Sequence, residues 1–123
     1  MKTTDVAIDK VYLLLKGKID NVYKLRKPTK SSHTNYVVIN SLPISSGVLQ
    51  KCYVNVNYHV KDLISGLADM KTLRTGTDLL MTNLQLYQEK GMIIEFENQQ
   101  YFSESQLDEH YSNIRLSVKI INT

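Results

Sequence analysis

VLQKCYVNVNYHV, Val48–Val60, contains no proline, glycine or acidic residue. Its even positions, Val48, Gln50, Cys52, Val54, Val56, Tyr58 and Val60, form a mostly apolar series. Its odd positions, Leu49, Lys51, Tyr53, Asn55, Asn57 and His59, form a mostly polar one. Side chains alternate sides along a strand, so the stretch predicts one long strand with a greasy face and a wet face. At ~3.3 Å per residue, such a strand has the length to run past its own core.

Working outward, the residues before it supply two shorter strands and a helix. Tyr36, Val37, Val38 and Ile39 predict a strand buried on both faces, closed by Pro43. Ser45–Gly47 is a turn, and two successive strands joined this way predict an antiparallel pair. Further upstream, Val22 to Arg26 alternate as a short strand ended by Pro28, followed by a polar loop, PTKSSHTN. Ile8, Val11 and Leu15 recur at helical spacing, with Thr3 or Thr4 to cap and Gly17 to stop, which predicts a helix over residues 4–17.

Downstream, Asp69 is a suitable N-cap, and Leu73, Gly76, Leu80, Leu84 and Tyr87 fall at intervals of three and four. Gly91 follows Lys90 as a C-terminal stop, so the second helix is predicted over 70–90. Gly76 inside it is unfavourable by roughly 1 kcal/mol against alanine, which suggests close packing against a neighbour. Met92 to about Asn98 predicts a strand with Ile94 and Phe96 on one face and Glu95 and Glu97 on the other. SESQLDEH is a loop or short helical turn. In the last strand Ile114, Leu116, Val118 and Ile120 face in, while Asn113, Arg115, Ser117 and Lys119 face out. The expected order is α-β-β-β-α-β-β. The expected fold class is α+β, a single domain over 1–123 with one mostly antiparallel sheet packed on one side by two helices.

The chain has 123 residues, which suits one domain with a sizeable core. A single cysteine rules out an intrachain disulfide and fits a reducing compartment. The start, MKTTDVAIDK, has no basic segment followed by an apolar run, so no signal peptide is expected. No run approaches ~18 apolar residues, so no membrane span is expected. The net charge of +3 conceals an asymmetry: residues 1–61 balance to +7 and residues 62–123 to −4, with no acid from Asn21 to Lys61. Such a division suits solvated surface, a basic surface for nucleic acid, or opposite poles that stack on copies or charged neighbours.

Little in the sequence points to catalysis. Cys52 and His59 are seven apart on one strand, an odd separation that puts them on opposite faces. Cys52 lies in the apolar series and reads as a small core residue, inert as buried thiols usually are. His33 and His110 fall in polar loops, and the histidines and cysteine show no metal-ligand spacing. His59 and Asp62 straddle a strand end, so His59 reads as a lone surface histidine. Glu95 and Glu97, sharing a strand face ~7 Å apart by strand geometry, could serve acid–base or metal chemistry, though a solvated strand explains them as well. The five glycines are scattered and form no phosphate-cradling loop. The basic residues Lys16, Lys18, Lys24, Arg26, Lys27 and Lys30 could contact phosphates, but only Tyr23 is interleaved, so no base-stacking platform is indicated.

Asn35–Leu63, NYVVINSLPISSGVLQKCYVNVNYHVKDL, resembles the central β-hairpin of tailed-bacteriophage tail terminator proteins, also called tail-completion or head–tail joining proteins. That pattern has an N-terminal helix, a strand with a YVVI-like segment and a long strand ending like VNVNYHVKD. A helix follows, and then a last strand like NIRLSVKIIN. The resemblance spans about residues 5–122. The chain lacks a long insertion and its LISGLADMKTL linker is short, so the position within the neck stays open.

The resemblance implies a structural virion protein with no enzyme activity, cofactor or metal. It implies a homo-oligomeric ring, commonly of six copies and in a variant twelve, at the head–tail junction. Such a ring caps the tail tube and docks the head connector, with DNA passing through without sequence-specific binding. Expected partners are therefore copies of itself and other neck, connector or tail-tube proteins. The expected location is the virion, with host cytoplasm during assembly. On this basis Tyr53, Asn55, Asn57 and His59 are expected at a neighbouring subunit or the channel, and Lys24, Arg26, Lys27 and Lys30 at a partner interface. The alternative is a small nucleic-acid-binding module that uses the basic segment Lys18–Lys30, or an enzyme built on Glu95 and Glu97.

Overall fold

The computed structural model describes residues 1–29 and 34–122. Lys30 and His33 therefore lie outside the described residues. The elements run α1 (Thr4–Leu15), β1 (Val22–Lys24), β2 (Asn35–Ser41), β3 (Leu49–Lys61), α2 (Met70–Leu84), β4 (Leu86–Glu89), β5 (Met92–Glu104) and β6 (Glu109–Ile121), with a 3-10 turn at Ser105–Leu107. One curled six-stranded sheet has the order β1-β2-β3-β6-β5-β4. The class is α+β, as the sequence predicts. The sheet is mixed, however: β1 runs parallel to β2, and every other neighbour pair is antiparallel.

The expected element order needs one correction. The second helix ends at Leu84, and Leu86–Glu89 turns back as β4 against Met92–Glu95. Leu84 and Tyr87 satisfy helical spacing, but Glu89 faces Met92 across a two-residue turn, Lys90-Gly91, with Gly91 at φ 85. A glycine with positive φ serves a helix stop and a hairpin turn equally well. The order is therefore α-β-β-β-α-β-β-β. β5 also runs six residues beyond Asn98, because pairing with β6 holds it extended where no core lies beneath.

Both helices cover the same face of the sheet. Ala7, Ile8, Val11 and Leu15 of α1 join Leu73, Leu80 and Leu84 of α2 in one core with Val37, Ile39, Val54, Val56, Ile114, Leu116 and Val118. The even series of β3 from Gln50 to Val60 is buried throughout, as predicted, while Val48 falls outside the strand and is exposed. Asp69 caps α2, its carboxylate accepting from the Thr72 amide at 3.1 Å. At α1 the N-cap position falls to Thr3, whose side chain makes no capping bond. Gly76 packs under Tyr58 so closely that a Cβ there would run into the ring.

β3 does not project freely. β6 pairs it along its full length, Leu49 opposite Ile121 through to Lys61 opposite Glu109. Where β2 stops short, the loop after it takes over the other margin. Leu42 N–H donates to Tyr53 C=O at 2.9 Å and Ser45 N–H to Lys51 C=O at 3.0 Å.

Candidate functional site

The helices leave the opposite face of the sheet uncovered, and the odd series of β3 lies on it. Antiparallel register sets Tyr36, Val38 and Asn40 of β2 beside His59, Asn57 and Asn55. It sets Tyr111, Asn113 and Arg115 of β6 on the other side of the same three residues. Phe102 of β5 stands opposite Tyr111. These cross-strand neighbours form two ladders.

One ladder is made of side-chain amides. Asn113 Nδ2 donates to Asn57 Oδ1 at 2.7 Å and to Asn55 Oδ1 at 3.2 Å. Arg115 Nε donates to the same Asn55 oxygen at 3.3 Å, and Asn55 Nδ2 donates to Asn40 Oδ1 at 3.1 Å. Asn55 and Asn113 are consequently only 9% and 7% exposed, although no helix covers them. The face expected to be wet is closed at its centre by its own hydrogen bonds. Next to it, Lys51 and Arg115 both lie over the Tyr53 ring, at 5.1 and 5.9 Å from its centroid.

The other ladder is aromatic. Tyr36 stacks on His59 with centroids 4.7 Å apart and planes 5° apart. His59 stacks on Tyr111 at 4.8 Å, and Tyr111 on Phe102 at 5.3 Å. Lys27 Nζ closes the Tyr36 end, 4.5 Å from the ring centroid. The Tyr36 hydroxyl donates to Glu109 Oε1 at 2.7 Å. His59 Nδ1 lies 3.3 Å from the same carboxylate oxygen but is misaligned, and has no hydrogen-bond partner among the described residues. Burial lowers the His59 pKa, and this outweighs the opposing pull of Glu109. Burial, and then the bond to Glu109, pushes the Tyr36 phenol pKa up. His59 is thus a neutral ring inside a stack, which replaces the reading of it as a lone surface histidine.

The predicted basic cluster divides. Lys27 joins the aromatic ladder, whereas Lys24 pairs with Asp9 of α1 at 2.6 Å and lies 4.8 Å from the Tyr12 ring centroid. Arg26 is exposed. Burial raises the Cys52 thiol pKa, consistent with a core residue. His110 is in β6 rather than a loop, and its Nδ1 lies 2.6 Å from the buried Asp62 carboxylate, whose other oxygen accepts from Gly66 N–H at 3.2 Å. The alternation that would set Glu95 and Glu97 on one face is interrupted by a bulge between Phe96 and Asn98. Among the described residues no group of three or more His, Cys, Asp or Glu is placed to hold a metal ion. A cleft of about 480 Å³ opens on the helix side between Ile19, Tyr58, Lys71, Thr72, Thr75, Gly76 and Leu79. None of the predicted site residues lines it.

Sequence reasoning found the β3 half of the face and missed Tyr36, Tyr111 and Phe102 as its partners. The signal for Tyr111 was present: Tyr111, Asn113, Arg115, Ser117 and Lys119 form one unbroken odd series. Comparison with protein-family models and with curated proteins finds no match for the chain. The geometry by itself defines a class: a small α+β domain with helices on one sheet face and internally bonded amides and rings on the other.

Proposed function

We propose that the chain is a structural protein of a tailed-phage virion, forming a ring at the neck that caps the tail or joins it to the head connector. The observation that carries this reading is the helix-free face, where Asn40, Asn55, Asn57 and Asn113 bond to one another beside a stack of neutral rings. Polar groups that already satisfy each other make a stiff surface, neutral along its asparagines, with the cations Lys51 and Arg115 drawn over the Tyr53 ring beside them. Such a surface suits repeated contact with identical neighbours, or a channel wall past which DNA moves unheld. On this reading the chain acts by shape, and its partners are its own copies and the connector and tube proteins above and below.

The nucleic-acid alternative has less behind it. Lys24 is engaged with Asp9, and stacking covers both faces of His59 and Tyr111, the surfaces a base would need. Sedimentation velocity and negative-stain microscopy of the purified chain, alone and with tail-tube and head-connector proteins, test the reading. Closed rings of six or twelve copies are expected. A chain that stays monomeric in both settings overturns the reading. So does a chain that instead binds DNA with a steep salt dependence.

A further inference from the structure

The strand order turns the charge asymmetry of the sequence into an asymmetry across the sheet. Residues 1–61, with balance +7, supply β1, β2 and β3, and residues 62–123, with balance −4, supply β6, β5 and β4. In the order β1-β2-β3-β6-β5-β4 the basic half ends at one margin and the acidic half at the other.

The acidic margin has a free strand edge. β4 accompanies β5 only as far as Glu95, with one further bond from Phe96 N–H to Gln85 C=O. From Asn98 to Glu104 no strand lies beside the outer edge of β5 among the described residues. Edges of this length are usually blunted by lysine or proline. This one, NQQYFSE, has neither, and it exposes Tyr101 at 39% and Phe102 at 38%. Phe102 also ends the aromatic ladder among the described residues, stacked on Tyr111. Glu97 is exposed beside the bulge, and Glu104 closes the strand.

At the basic margin the chain turns sharply, Leu25 N–H donating to Ile39 C=O and Arg26 N–H to Lys24 C=O, each at 2.8 Å. Leu25, between Lys24 and Arg26, is 66% exposed and sits at φ 71. The turn accounts for the positive φ and leaves the Leu25 side chain in solvent as an apolar anchor. Arg26 stands exposed beside it.

We infer that copies of this chain join margin to margin, the β1 edge with Leu25 and Arg26 of one copy meeting the free β5 edge with Tyr101, Phe102, Glu97 and Glu104 of the next. The inference rests on the ring reading above and names the surfaces that close the ring. The occupant of the free edge is a second copy because the complementary charge and the exposed apolar anchor are both on this chain. The two patches differ, so the contact is heterologous, and each copy that docks leaves one margin of either kind open. Such contacts close into a ring when the rotation between copies allows.

Charge reversal tests it. Sedimentation velocity over a concentration series compares the unaltered chain, Arg26→Glu, and the pair Glu97→Lys with Glu104→Lys, with circular dichroism confirming that each folds. Each variant alone is expected to weaken self-association by about tenfold or more at low salt, as like charges then face each other. An equimolar mixture of the two variants is expected to recover it, because both kinds of contact become complementary again. Rings that form regardless of these reversals, or a mixture that recovers nothing, overturn the margin assignment while the ring reading stands. A chain that is monomeric at every concentration overturns the ring reading itself.

Discussion

Tyr36 and Glu109, 73 residues apart in the chain, are joined by a 2.7 Å hydrogen bond with His59 of β3 between their strands. The bond ties β2 to β6 and leaves the half-buried imidazole stacked, its Nδ1 without a hydrogen-bond partner among the described residues. Several consequences can be measured.

The folded state lowers the pKa of His59 below its ordinary value of 6.5. Between the two values the unfolded chain binds more protons, so stability rises with pH across that window. Stability contributed by neutral His59 is present above pH ~6.5 and is lost as pH falls toward the folded-state value. Thermal melts at pH 7.5 and 5 should show a lower Tm at the acidic pH. His59→Phe should shrink the difference, and an unchanged difference in that variant would remove His59 as its source.

Gly76→Ala should destabilise the protein by about 1–3 kcal/mol, because the Tyr58 ring blocks the added methyl and must shift. Urea melts of Gly76→Ala, Tyr58→Leu and the double variant check the cause. The two effects should be non-additive, the double variant being more stable than the sum of the singles implies.

Asn113 donates to both Asn55 and Asn57, so Asn113→Ala takes the stated donor from Asn57 Oδ1 and leaves Asn55 Oδ1 with the longer bond from Arg115 Nε. A loss of about 1–2 kcal/mol is expected in chemical denaturation. Asn122→Ala, just past the strand end and partly buried, serves as the reference for a loss of amide bonds away from the centre of the face.

The Cys52 thiol is buried and its pKa is raised by burial, so it should resist alkylation in the native protein. Iodoacetamide labelling at pH 8 should proceed only at the rate at which the chain opens, and at full speed in denaturant. Rapid native labelling would place Cys52 outside the core.

Much of the fold is legible because local periodicity reports burial. Alternation in Leu49–Lys61 and in Asn113–Ile120 identifies two long strands and the inward face of each, and Asp69 marks where α2 begins. The errors fall where periodicity is ambiguous or absent. Leu84 and Tyr87 fit a helix and a hairpin alike, and pairing with β5 chose the hairpin. Beyond Asn98 a bulge shifts the alternation and little core lies beneath, so β5 carries no local mark of its true length. The candidate site divides in the same way. Tyr53, Asn55, Asn57 and His59 are legible as one face, but the side chains they meet come from β2, β6 and β5.

The sequence by itself determined the α+β class, the buried series of β3 and β6, and the division of the chain into a basic and an acidic half. Only the tertiary structure decided that β3 lies between β2 and β6, that His59 is a neutral ring in a stack, and that the two halves end at opposite margins. The physical reason is range. A hydrophobic period is written in neighbouring residues and fixes which side of a strand is buried. Strand order and register are set by hydrogen bonds and packing between segments dozens of residues apart, which no local period records.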